Sequence, residues 1–320
     1  MLTLQKFFEI VIAAGIKNDP RQKSEIDYLL KEEKETYEKL GKRDKEFYDV
    51  ERLKNPYADT RILAGKPSQA IKKIAAGIDL EAEELLVINE LNRQGAKIDL
   101  ALSHHPEGIA LAKLADVMGL QSDMYALHGI PINVMEKIMG KDIEKVMQSV
   151  HPINTEKNID IAKHLGIAYA CTHTVADNMV YTFLTKLFEA KKPRTVGDLI
   201  DVMLEIPEYR ESAKRGIPPM PFTGSKKSRA GKITVTGFTG GTSGSSEVYE
   251  SMKHVGIGTE VVMHIKPDSK KEAEKHHINI VCAGHIASDT LGMNLLLDEI
   301  EKHSKVEVVN LGGFQRIKRK

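Results

Sequence analysis

The stretch Ile98-Asp99-Leu100-Ala101-Leu102-Ser103-His104-His105-Pro106 decides how the rest of the chain is read. Ile98 to Leu102 is a short apolar run of strand type that ends on two adjacent imidazoles. Neighbouring side chains on a strand point to opposite faces, but at a strand terminus the turn can bend both toward one cavity. Pro106 restricts His105 to extended backbone and stiffens that turn. Imidazoles arriving along different vectors suit two metal ions better than one, although the pair taken alone also fits exposed or core-satisfied histidines.

Two further apolar runs end in the same chemistry. Ile167 to Cys171 leads into Thr172-His173-Thr174-Val175-Ala176-Asp177 and then a helix, and Ile278 to Cys282 leads into Ala283-Gly284-His285-Ile286-Ala287-Ser288-Asp289 and another helix. In each, a histidine and an aspartate stand four residues apart, which on a helical turn puts both on one face with the carboxylate near unpaired backbone amides. Open α/β sheets place their ligand sites at the carboxyl ends of strands. The joint occurrence of His104, His105, Asp177, His285 and Asp289 at matching positions favours metal ligation over a set of unrelated structural histidines.

Outward from these motifs, short β-rich runs alternate with longer helical ones, which predicts an α/β fold with largely parallel sheets. Arg61 to Ala64, Ile74 to Gly77, Lys232 to Thr236, Glu260 to His264 and Val306 to Leu311 supply further strands. Helices are predicted from Gln69, from about Glu107, over Asn133 to Gln148, and over Glu81 to Gln94 with Gly95 as the stop. Lys192 to Gly231, rich in Pro, Gly, Lys and Arg around a helical piece at Asp198 to Leu204, reads as a linker. The organisation predicted is an N-terminal helical segment (1–56), a first α/β lobe (57–191), the linker (192–231) and a second α/β lobe (232–320).

In the N-terminal segment Phe7 to Ile16 reads as an amphipathic helix, because Glu9 interrupts it and it is too short to span a membrane. Asp19 to Asp49 reads as a solvated, charge-laced helix with a thin stripe at Ile26, Leu29, Leu30, Tyr37 and Leu40. The 320 residues carry 46 Lys and Arg against 45 Asp and Glu, a net charge of +1, so no global field draws the chain to nucleic acid or anionic lipid. With Cys171 and Cys282 as buried thiols and no apolar run of membrane length, a cytoplasmic protein without a membrane or nucleic-acid partner is expected. The remaining histidines read as surface or core residues, with His264 set apart because it ends a strand near His285. The basic tail Arg316 to Lys320 reads as a solvated terminus.

The order SHHP, then HT-x-x-D-N, then a Gly/Ser-rich turn, then GH-x-x-S-D before a helix resembles the Nif-three-like family, whose bacterial members are often labelled type-two GTP cyclohydrolase I homologues. The resemblance runs from about Arg61 to Arg319. It implies a dinuclear metal centre between two α/β lobes, with His104, His105, Asp177, His285 and Asp289 as ligands and His173 beside them. It also implies a homo-oligomer, commonly a toroidal hexamer. This chain departs from the family pattern by carrying Asp289 where Glu is usual, Met263-His264-Ile265 where Thr-Gly-Asp is usual, and additions at 19–55 and 106–166.

Three imidazoles and two carboxylates leave two divalent ions with net positive charge, which suits hydroxide or an anionic substrate. Mixed nitrogen and oxygen donors without thiolate suit Zn, Fe, Mn, Co or Ni. The expected chemistry is hydrolysis of a small phosphorylated or heterocyclic substrate, nucleotides included, with His173 as proton shuttle or as an orienting neighbour. The competing expectation is a non-catalytic metal-binding protein that regulates or scaffolds partners. Gly237 to Ser246 follows a strand and precedes a helix, so Gly240, Thr242, Ser243 and Gly244 either cradle a substrate anion or form a tight turn; the segment lacks both the P-loop and the dinucleotide fingerprint.

Overall fold

The computed structural model describes residues 1–242 and 244–319. Its named strands form two sheets. The first contains β1 (Thr60–Ala64), β2 (Lys73–Gly77), β3 (Leu100–Ser103), β4 (Ala168–Thr172) and β9 (Glu307–Asn310), in the spatial order β1-β4-β3-β2-β9. The second contains β5 (Met220–Thr223), β6 (Lys232–Gly237), β7 (Ile257–Val262) and β8 (Asn279–Cys282), in the order β5-β8-β7-β6. Each sheet is parallel except for one antiparallel edge, β1 on β4 and β5 on β8. The expected α/β class with mixed, largely parallel sheets is the class observed.

Helices cover both sheets. The N-terminal segment forms α1 (Leu4–Lys17), α2 (Lys23–Lys39) and α3 (Lys42–Glu46), and α4 (Ala82–Arg93) joins β2 to β3. Between β3 and β4 come α5 (Gly108–Ala112), α6 (Gly119–Leu127), α7 (Ile132–Val150) and α8 (Lys157–Leu165). After β4 the chain runs through α9 (Thr174–Lys191), α10 (Val196–Leu204) and α11 (Pro207–Lys214). In the second sheet α12 (Val248–His254) follows β6, α13 (Pro267–Lys275) follows β7, and α14 (His285–Glu301) follows β8.

Helices α9 and α14 fix the geometry of the site because they cross in backbone contact. A Cβ on Gly292 of α14 would lie 2.8 Å from the Ala176 carbonyl oxygen of α9, so only glycine permits this approach. The crossing lies beside Asp177 on one helix and one turn from Asp289 on the other. Helix α1 caps itself through Thr3 Oγ1, which accepts from the Lys6 amide at 3.2 Å, and packs against α9 and α14 with Leu4, Phe7 and Val11 fully buried.

Several expectations are corrected. No helix starts at Gln69: Leu4 N donates to Gln69 O and Ile71 N to Leu2 O, so this segment runs extended into β2, pinned by the entry to α1. The strand expected over 306–311 within the second lobe pairs instead with β2 in the first sheet, and the linker region contributes α10, α11 and β5, an edge of the second sheet. β7 ends at Val262, so His264 lies past the strand. Over 316–319 the basic tail is docked, not solvated: Arg316 pairs with Asp298 at 2.5 Å and Arg319 with buried Glu208 at 2.7 Å, while Lys320 lies outside the described residues. Among the described residues no helix is long and apolar enough to cross a membrane.

Candidate metal centre

His104 and His105 leave the end of β3 and are pinned to the neighbouring strand. The His104 amide donates to Gly77 O at 2.9 Å and the His105 amide to Ile78 O at 3.0 Å, while Ser103 Oγ donates to the His105 carbonyl at 2.9 Å. This turn aims both imidazoles at one space from different sides. Asp177 reaches the same space from the first turn of α9, and His285 and Asp289 from the first turns of α14.

The separations fall into two groups that share one carboxylate. His104 Nε2 lies 3.5 Å from Asp177 Oδ1 and 3.5 Å from Asp289 Oδ1. On the other side, Asp289 Oδ2 lies 3.5 Å from His105 Nε2 and 3.5 Å from His285 Nε2. Ligands about 2.0–2.1 Å from a tetrahedral ion stand roughly 3.4 Å apart, so these spacings match donors around an ion better than donors bonded to each other. Five of the predicted ligands are thus brought together, and each group could hold a metal ion.

Satisfaction of the buried atoms points the same way. His104 Nε2, Asp177 Oδ1 and both oxygens of Asp289 are buried without hydrogen-bond partners among the described residues. Orphaned carboxylate oxygens at the centre of a protein cost several kcal/mol unless a charge completes them. The donor set fits a cation. Burial first, then Asp289 and Asp59, pushes the Asp177 carboxyl well above its usual range. Burial holds His104 well below the ordinary imidazole range; Asp289 opposes this, and His173, His105 and His285 reinforce it. For Asp289, burial acts upward, but His104, His105 and His285 overturn it and the carboxyl ends below its usual range. For His105, burial acts downward and is outweighed by Asp289 and Asp79, which bring it up to about 9.

Two aspartates that escaped the reading of the sequence orient these imidazoles. Asp59 is fully buried; its Oδ2 faces His173 Nδ1 at 2.8 Å and accepts from Thr174 Oγ1 at 2.6 Å. His173 therefore turns Nε2 toward the cluster, 4.0 Å from Asp177 Oδ2, with its ring 5.0 Å from that of His104. Asp79 Oδ1 meets His105 Nδ1 at 2.6 Å and leaves Nε2 for the centre. Neither aspartate belongs to a strand-end His/Asp pair. Asp79 is flagged only by following an apolar strand, and Asp59 by nothing in its surroundings. His264 stacks edge-on to His285 at 4.8 Å.

The centre opens into a cleft at the carboxyl ends of β6, β7 and β8, with about 60 Å³ of free space. Thr242 and Gly244 line it. Gly240 is turned away: its carbonyl accepts from Gln121 Nε2 of α6 at 3.0 Å, as does the Thr242 carbonyl, so the loop is latched by the 106–166 addition. Ser243 lies outside the described residues. A larger cavity of about 530 Å³ between the N-terminal segment and α6–α7 contains none of the five ligating side chains, and its Arg21 and Arg52 are already paired with Asp19 and Glu33.

The fold is shared with a solved structure, a NIF3 superfamily protein from Sphaerobacter thermophilus, at 23% identity and a TM-score of 0.70, covering 83% of this chain and 95% of that one. The chain has the NIF3 superfamily fold. More distant likenesses to this fold are reduced HcgD from Methanocaldococcus jannaschii (13% identity, TM-score 0.47, 78% and 87% of the two chains) and TTHA1606 from Thermus thermophilus (13%, 0.47, 82% and 91%). No family model and no curated protein matches the sequence. In this NIF3-fold chain the His/Asp cluster sits between the two sheets, where α9 and α14 cross.

Proposed function

We propose that the protein is a dinuclear-metal hydrolase of a small phosphorylated or heterocyclic substrate. His104, Asp177 and Asp289 hold one divalent transition-metal ion, and His105, His285 and Asp289 hold the other. The observation that carries this reading is the division of Asp289, whose Oδ1 faces His104 and whose Oδ2 faces both His105 and His285, each at 3.5 Å. The donors suit Zn, Fe, Mn, Co or Ni.

Two such ions, when bound, supply a nucleophile at neutral pH and stabilise charge developing on the attacked group. The rest is performed by the chain. Asp59 holds the proton of His173 on Nδ1, so Nε2 is free to accept a proton at the cluster and return it to the leaving group. Asp79 fixes His105 with Nε2 toward the centre. The latched loop at Gly240 and Thr242 narrows the cleft and limits water around the reacting group. Self-association belongs to the same reading, supported by exposed Ile217, Met220, Phe222 and Ile286 around the edge strand β5.

Elemental analysis of protein purified without chelator, followed by turnover on a phosphoester and nucleotide panel, tests the proposal. Expected are two ions per chain and metal-dependent hydrolysis that His104→Ala abolishes with folding retained. Metal retention with no turnover on any substrate favours a regulatory metal-binding role.

A further inference from the structure

The corner between β7 and α13 contributes a second chemistry to the cleft. Lys266 and Ser269 line it together with His104, Asp177, His285 and Asp289. Lys266 is the N-cap of α13, a nine-residue helix without a side-chain cap. Pro267 has no amide hydrogen, and the Asp268 and Ser269 amides lie in the first turn, where no intrahelical acceptor exists. Ser269 is only 6% exposed, yet its hydroxyl makes no hydrogen bond among the described residues. Lys266 enters no ion pair among them. The adjacent carboxylate, Asp268, is 87% exposed and is drawn off by Lys271 at 3.4 Å.

A free ammonium, the unpartnered hydroxyl of a largely buried serine that lines the cleft, and uncapped amides at the positive end of a helix make a complementary set for an oxyanion. The Gly-rich loop is the poorer candidate, since α12 has only seven residues and the loop carbonyls of Gly240 and Thr242 are committed to Gln121.

We infer that Lys266, Ser269 and the first turn of α13 form a phosphate subsite, which holds a phosphate group of the substrate beside the bond cleaved at the metal centre. The inference rests on the hydrolase reading and adds the anchoring group that reading leaves unspecified. A dianionic phosphate uses all three kinds of donor, whereas a carboxylate uses fewer.

The test is inorganic phosphate binding to the full-length, metal-loaded protein, followed by calorimetry and phosphorus NMR at low ionic strength. Expected are a phosphate event at the metals and a second one that weakens about tenfold in Lys266→Gln and in Ser269→Ala, survives in Lys266→Arg, and falls with added salt, all at unchanged metal content. Equal affinity of acetate for the second event overturns phosphate selectivity. A single event untouched by both substitutions overturns the subsite while leaving the metal centre standing. A wild-type protein that retains no metal refutes the hydrolase reading instead, and a Lys266-dependent phosphate event in that protein separates the two failures.

Discussion

Asp289 is the residue on which the most depends, because its two oxygens face different imidazole sets. Asp289→Asn keeps the shape and removes the charge, and metal content is expected to fall from two ions to at most one per chain by elemental analysis. Asp177 carries the opposite liability in ion-free protein. Its folded-state pKa is raised, so the unfolded chain releases that proton at lower pH than the folded one, and stability declines as pH rises above the ordinary carboxyl range. Asp177→Asn is therefore expected to stabilise ion-free protein at pH 7 by at least about 1 kcal/mol, a rise of ~2–4 °C in melting temperature, while removing one ion from the loaded form. His105 adds a proton to the balance. With its pKa brought up to about 9 it is an imidazolium at pH 7, and an ion must displace that proton. Calorimetry in buffers of different ionisation enthalpy should register release of at least one proton per chain, with affinity rising about tenfold per pH unit below that value. Asp59→Asn leaves every ligand in place but no longer directs His173, so turnover should drop about 10- to 100-fold with metal content unchanged.

Among the elements, the three strand ends were legible because an apolar run of buried-strand type stops abruptly at His or Asp, and that pattern needs no knowledge of the neighbouring strand. Asp59 was not legible: it precedes β1 in an irregular segment, and only the approach of α9 makes it a partner of His173. The helix expected from Gln69 failed for a related reason, since the hydrogen bonds that hold this segment extended come from residues 2 and 4 at the other end of the segment order. The Gly-rich loop reads as a turn or an anion cradle by composition; its latch is a single side chain more than a hundred residues away. Gln121→Ala leaves the Gly240 and Thr242 carbonyls without their donor. Amide exchange over 237–246 should accelerate while the global unfolding free energy changes by only about 1–2 kcal/mol.

For the molecule as a whole, α1 belongs to the core of the first sheet instead of lying on its surface. Phe7 is fully buried among side chains of α9, α14 and β2, so Phe7→Ala should cost about 3–5 kcal/mol in chemical denaturation, and that loss should be felt at the metal centre because α9 and α14 hold it. The return of β9 to β2 has a consequence for synthesis. The first sheet receives its final strand, and α1 its contacts with α14, only after synthesis has passed Asn310, more than 230 residues beyond β2. Until then a strand edge of β2 and the part of α1 that faces α14 stand uncovered, so the nascent protein passes through a stage in which early folding cannot finish and a chaperone has most to protect.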